Sequence, residues 1–281
     1  MSRFAFIAAC ISPFVVFCQI PHTGNNPIPP YQVIGNIYYV GADDITAYLI
    51  TTSEGHIVIN AGYEDTAPII EAGVRQLGYS PADVRILLNG QGHYDHVAGL
   101  HALQLATGAK IWSSEAEVPV LESGGAKDLR FGKEVTYPAV HVDHVVRDGE
   151  ELKLGGVTLV AHLTPGHSIG CTTWTMKVSD KGRQYDVVFV GGTTINPGIR
   201  LVKDPTWPGI ASQYEKTFQT LRALHCDVFL GAHGGYYGMR EKMKRMGGEQ
   251  NPFIDPEGYK RFVDQAEKTF QAQVASERAS R

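Results

Sequence analysis

Gln91-Gly92-His93-Tyr94-Asp95-His96 is the stretch on which the reading of the fold turns. It follows directly on the apolar run Val84–Leu88, which reads as a buried strand. Consecutive strand residues point to opposite faces, whereas a loop can turn several side chains toward one point. The carboxyl end of a strand is also where α/β sheets place their ligands. Imidazole nitrogens and a carboxylate suit zinc, and His93, Asp95 and His96 supply three such donors within four positions.

Two further histidines stand in the same local setting. His167 lies in Thr164-Pro165-Gly166-His167-Ser168, a turn after the apolar run Val157–Leu163. His233 lies in Gly231-Ala232-His233-Gly234-Gly235, a turn after Val228–Leu230. One Gly-His turn is weak evidence of a site. Three strand ends, each offering a histidine beside a glycine that lets the backbone come close, make a strong one.

The chain also carries a decoy. His141-Val142-Asp143-His144 repeats the His-x-Asp-His spelling, but no apolar strand precedes it and no glycine adjoins it. Val140 to Asp143 alternates like a half-buried strand, which would put His144 on the face opposite His141 and Asp143, and these residues are expected at the surface. His22, His56, His101, His162 and His225 stand singly, and a structural or exposed role is expected for each.

Around these motifs, strand-like and helix-like stretches alternate. Ile37–Val40, Ala47–Thr51 and His56–Asn60 read as strands, and Thr66–Leu77 as a helix closed by Gly78. In the second half Leu152–Leu154, Val157–Leu163, Thr172–Val178, Val187–Val190 and Val228–Leu230 read as strands. Tyr214–Leu224 and Pro256–Arg278 read as helices, the last with Tyr259, Phe262, Val263, Ala266 and Phe270 on one face. Residues 23–33, rich in Pro, Gly and Asn, read as an irregular lead-in. Strands followed by helices, twice over, predict a layered α/β sandwich.

At the start, Arg3 precedes the apolar run 4–11 and then Pro13 to Phe17, an h-region too short to span a bilayer. Residues 1–18 are therefore expected to be a signal peptide, leaving 19–281 as the folded domain, periplasmic or secreted. Cys171 and Cys226 remain after such a cut; sequence leaves their pairing open. The formal net charge of −4, with no long basic run, argues against a nucleic-acid partner. No membrane association is expected of the processed chain, which is read as a monomer.

Taken together, the motifs resemble those of the metallo-β-lactamase superfamily, whose hallmark is a His-x-His-x-Asp-His loop followed by two later histidines. The third subclass of metallo-β-lactamases is the most similar. The resemblance runs from about Tyr39 to the last helix. It includes Ile57–Gly62, Thr164–His167, Cys171–Thr175, Asn196-Pro197-Gly198, Cys226–Gly234 and Asn251–Pro256. It implies a four-layer αβ/βα sandwich with the metals at one edge. It also implies a first zinc on Gln91, His93 and His167, and a second on Asp95, His96 and His233. The implied activity is hydrolysis of the lactam amide of penicillins, cephalosporins or carbapenems by a metal-bound hydroxide, with Asp95 also orienting the attacking water. Such an enzyme would confer antibiotic resistance.

Two positions depart from the family's pattern. The family usually has His where this chain has Gln91, although a minority of the subclass resembles it in having Gln. A Gln carbonyl oxygen is a weaker, neutral ligand, which leaves one or two zinc ions per chain open. The subclass often places two hydroxyl residues, one apart, to hold the substrate carboxylate. Here Thr193 fits the first position and Ile195 falls at the second, so Thr194 or Asn196 would have to compensate.

Two other readings compete. A lactone or thioester hydrolase of the same superfamily generally carries a metal-bridging Asp in a Gly-Asp turn, and Val190-Gly191-Gly192-Thr193 has no carboxylate. A non-catalytic exported metal-binding protein would fill every coordination position, whereas three ligands per zinc leave one open.

Overall fold

A computed structural model describes residues 22–132 and 134–280; the expected signal segment 1–18 lies outside them. The first sheet has seven strands, side by side in chain order. They are β1 (Tyr31–Ile34), β2 (Ile37–Tyr39), β3 (Tyr48–Thr52), β4 (Gly55–Ile59), β5 (Val84–Leu88), β6 (Lys110–Ser114) and β7 (His144–Val146). The second sheet has five, in the order β12-β11-β10-β9-β8. Its strands are β8 (Glu151–Leu154), β9 (Val157–Leu163), β10 (Thr172–Asp180), β11 (Arg183–Val190) and β12 (Val228–Gly231).

Helices follow the strands in each half. Those of the first are α1 (Ala67–Gln76), α2 (Tyr94–Val97), α3 (Leu100–Thr107) and α4 (Val118–Glu122). Those of the second are α5 (Ile210–Ala223), α6 (Met239–Met243) and α7 (Pro256–Ala279). None among the described residues is long and apolar enough to cross a membrane.

The alternation of side chains along the strands builds the layers. In β4, Ile57 and Ile59 join the large core that also holds Tyr48, Leu159, Trp174, Met176 and Phe189, whereas Val58 joins a second core with Leu49 and Leu87. That second core is closed by Ile70 and Val74 of α1 and Leu100 and Leu103 of α3. On the far side, Phe218 of α5 and Val263 and Phe270 of α7 extend the large core. The order helix–sheet–sheet–helix is the expected sandwich.

Most predicted strands and helices stand within a few residues of where the sequence places them. The lead-in needs correction, because it ends in the edge strand β1. Proline-rich flanks hide this strand from local reading, and it is held instead by Tyr31 stacking on Tyr39 at 5.1 Å. β6, β7 and α3 were also not expected. β6 buries Ser113 and Ser114 where an apolar run would announce a strand, and the Ser114 hydroxyl is satisfied by the Gly170 carbonyl at 2.6 Å. α7 starts on Asp255, whose carboxylate accepts the Gly258 amide at 2.8 Å, with Pro256 at its first position.

Candidate metal centre

Three strand ends meet at one edge of the sandwich. β5 stops at Leu88, and Asn89-Gly90 turns the chain so that the Thr172 amide donates to the Gly90 carbonyl at 2.7 Å. His93 then stands in extended conformation (φ −71°, ψ 149°) immediately before α2, whose first turn carries Asp95 and His96. From β9 the chain reaches His167 through Gly166, whose φ of +133° suits glycine. From β12 it reaches His233, where the Thr46 and Tyr48 hydroxyls both donate to the Gly231 carbonyl, at 2.7 and 2.8 Å.

Asp95, His96 and His233 form a compact donor triangle. His96 Nε2 lies 3.2 Å from Asp95 Oδ2 and 3.2 Å from His233 Nε2, and His233 Nε2 lies 3.6 Å from Asp95 Oδ2. Ligand atoms about 2.0–2.1 Å from a tetrahedral zinc stand about 3.3 Å from one another. The triangle therefore has the spacing of three metal ligands.

Gln91, His93 and His167 gather beside it. The rings of His93 and His167 are 4.7 Å apart, nearly edge to face. Gln91 is fully buried, and its Nε2 donates to the Gly191 carbonyl at 3.0 Å. Its Oε1 has no hydrogen-bond partner among the described residues. A buried, partnerless carbonyl oxygen is costly unless something electropositive meets it. These residues thus fit a metal as well.

The outward nitrogens of three histidines are fixed by neighbours, as metal-ligating imidazoles require. His233 Nδ1 lies 3.0 Å from Asp44 Oδ2, and Asp44 Oδ1 also accepts the Gly235 amide at 2.8 Å. His167 Nδ1 lies 2.7 Å from the Thr194 carbonyl. His93 Nε2 faces Asp128 Oδ2 at 3.5 Å, and Asp128 Oδ1 accepts the amides of Arg130 and Phe131. His96 Nδ1 has no such partner among the described residues.

Electrostatics favour the ligating forms of His93, His96, His167 and Asp95. Burial holds His93 and His96 below the ordinary histidine range and His167 down to about 4, so all three are neutral near pH 7. Burial would raise Asp95, but His96 and His233 outweigh it and hold the carboxyl well below its usual range. His233 moves the other way: burial would lower it, but the hydrogen bond to Asp44 and the charge of Asp95 raise it.

Asp44 and Asp128 were not anticipated from the sequence. Asp44 sits well upstream of the motifs, and the only available signal is general: each ligating histidine needs a partner. Replacing Asp44 with alanine is expected to weaken metal binding about 10- to 100-fold, read by competition with a chromogenic chelator. Unchanged affinity would show that His233 needs no partner.

The predicted substrate residues cluster at the His167 side. Thr193 is buried, and its Oγ1 has no partner among the described residues. The Thr194 side chain is exposed, while its carbonyl accepts from Tyr214 OH at 2.8 Å as well as facing His167. Asn196 Nδ2 donates to the His167 carbonyl at 3.0 Å. Thr194 and Asn196 therefore already help to hold His167.

The decoy is a surface feature, as expected. His141 is exposed and pairs with Glu122 at 2.9 Å, while His144 packs on Trp112 and meets Glu150 at 2.5 Å. His225 lies 2.9 Å from Asp186, but the Lys177 ammonium already sits 2.6 Å from that carboxylate. Cys171 and Cys226 are separate buried thiols.

The family model described as "Metallo-beta-lactamase superfamily" matches residues 40–233. The chain belongs to the metallo-β-lactamase superfamily. Among solved structures, native FEZ-1 metallo-β-lactamase from Legionella gormanii is 41% identical, with a TM-score of 0.88 over 90% of this chain and 97% of that one. BJP-1, a subclass B3 metallo-β-lactamase of Bradyrhizobium japonicum, is 37% identical, with a TM-score of 0.84 over 92% and 97%. The curated relatives include hydroxyacylglutathione hydrolase GloC of Haemophilus influenzae, 28% identical over 68% of this chain and 89% of its own length. Membership of this superfamily accounts for both the layered fold and the gathering of donors at one edge.

Proposed function

We propose that the chain is a zinc-dependent β-lactamase that opens the amide of penicillins, cephalosporins or carbapenems, acting as a monomer in the periplasm or outside the cell. The observation that carries the reading is the likeness to metallo-β-lactamases over nine-tenths of the chain, joined to the Asp95, His96 and His233 donor triangle with Gln91, His93 and His167 beside it. Gln91, His93 and His167 would hold one zinc, and Asp95, His96 and His233 the other. Zinc, when bound, supplies a Lewis acid and lowers the pKa of water towards about 7, making a nucleophile available at neutral pH.

The chain's own groups do the rest. Asp95, kept ionised by its histidine neighbours, can accept a hydrogen bond from the attacking water and align it. The Thr193 hydroxyl, buried and without a partner among the described residues, would donate to a substrate carboxylate only after a local shift that uncovers it, with Thr194 and Asn196 beside it. Ile195 supplies apolar surface there and no donor.

A thioester hydrolase is the second reading, favoured by the GloC match. Against it stands the packing of the Gly191-Gly192 turn. A Cβ at Gly191 would meet the Gly90 and Thr172 carbonyls, and one at Gly192 would run into the His167 ring. A metal-bridging carboxylate has no room at either position without a shift of the neighbouring loops.

The deciding assay offers a chromogenic cephalosporin, a carbapenem, a lactone and a glutathione thioester, each with and without chelator. Turnover of the two β-lactams, abolished by chelator and restored by zinc, is the expected result. Turnover of only the lactone or thioester would overturn the β-lactamase reading.

A further inference from the structure

Glu117 is fully buried just before α4, yet no Lys, Arg or His pairs with it among the described residues. Its contacts fall on a single oxygen. Oε1 accepts the Gly92 amide at 3.1 Å, the Gly170 amide at 3.2 Å and the Ser168 hydroxyl. Oε2 has no partner among the described residues. Gly92 stands between Gln91 and His93, and Ser168 directly follows His167. One oxygen thus ties together the two loops that carry Gln91, His93 and His167.

The surroundings are shaped to this side chain. A Cβ on Gly92 would run into the Glu117 carboxylate, and one on Gly170 would stand 2.6 Å from Glu117 Cγ. From the other side, Tyr137 OH donates to the Gly92 carbonyl at 3.0 Å, so the Gly92 residue is gripped at both its N–H and its C=O. A buried carboxyl group without a counter-ion is expensive as mere filling. Without it, two buried amides and a buried hydroxyl would be left without an acceptor.

We propose that Glu117 is a positioning residue that sets the separation of the Gln91–His93 loop and the His167 loop, so that the three side chains converge before a metal arrives. The proposal rests on reading these three residues as the first metal position. It differs from a general role in stability, because Glu117 makes no hydrogen bond to the loop of Asp95 and His96 beyond Gly92, nor to His233. What the position requires is an acceptor at Oε1 rather than a charge, and glutamine supplies one with the same reach.

The test measures zinc affinity and stoichiometry by chelator competition, with cobalt absorption spectra reporting the ligand geometry. It compares the wild-type chain with Glu117→Gln, Glu117→Ala and Ser168→Ala. Glu117→Ala is expected to weaken zinc at the first position about 10- to 100-fold and to leave the second unchanged. Glu117→Gln is expected to stay within about threefold of wild type, and Ser168→Ala to fall between them. The same comparison in a Gln91→His background gives the first position three imidazoles, so that its occupancy can be read even where glutamine binds zinc weakly.

Equal first-position affinity in wild type and a folded Glu117→Ala would overturn the proposal. So would equal weakening at both positions together with a lower melting temperature of the metal-free chain. If Glu117→Ala does not fold, an unaltered first position in Ser168→Ala decides against it. Failure of even Gln91→His to take zinc at that position would instead sink the ligand assignment on which the proposal stands.

Discussion

Asp95→Asn is expected to lower kcat/KM for a chromogenic cephalosporin by about a thousandfold, with the fold intact. Its carboxylate is the one anionic corner of a triangle whose other corners are the imidazoles of His96 and His233, 3.2 and 3.6 Å away. Asparagine has nearly the same shape but offers a neutral oxygen, and turned the other way presents an NH2 group that cannot ligate. Losing the anion weakens the metal position, and losing the acceptor frees the water it would align. Metal positioning contributes several kcal/mol of transition-state stabilisation, and each ~1.4 kcal/mol is tenfold in rate. Steady-state kinetics with zinc content measured on the same samples separates the two losses. A variant with full zinc and less than a tenfold change would remove Asp95 from the chemistry.

Trp174→Ala is expected to destabilise the metal-free chain by about 3–5 kcal/mol, a fall of about 10 °C in melting temperature. Trp174 is 1% exposed near the start of β10, flanked across the strands by Ala161 and Phe189. Its indole also reaches out of the core, where Nε1 donates to the Asn89 carbonyl at 3.0 Å, at the root of the metal loop. Alanine leaves a large void and an unsatisfied carbonyl two residues from Gln91. Trp174→Phe keeps most of the apolar volume and loses only the hydrogen bond, so about 1–3 kcal/mol is expected. Thermal unfolding followed by circular dichroism checks both; a shift below 2 °C for alanine would contradict this account of the core.

The sandwich was largely legible because its central strands declare themselves locally. Val84–Leu88, Val157–Leu163 and the strand before His233 are apolar runs that end where a Gly-His turn begins. The ligand candidates were legible for the same reason, since His93, His167 and His233 stand on those turns. What escaped was whatever is held by distant partners. β6 buries Ser113 and Ser114 beside Ile111, so its apolar run is too short to mark it. Asp44 and Asp128 are ordinary loop aspartates until the fold sets them against His233 and His93. Glu117 carries no motif at all; its role exists only because Gly92 and Gly170 arrive on the same oxygen.

The amide of Gln91 has a consequence for which metals the cleft would retain. With its nitrogen committed to the Gly191 carbonyl, the side chain is wired like a neutral imidazole, donor at one end and acceptor at the other. It can take a histidine's place without rewiring the loops around it. The atom it presents is nevertheless an oxygen, a harder donor than a ring nitrogen. Two neighbouring positions in one cleft would then differ in taste, one leaning towards hard cations such as manganese or magnesium and the other towards zinc. A chelator added in small steps would strip them of zinc one after the other.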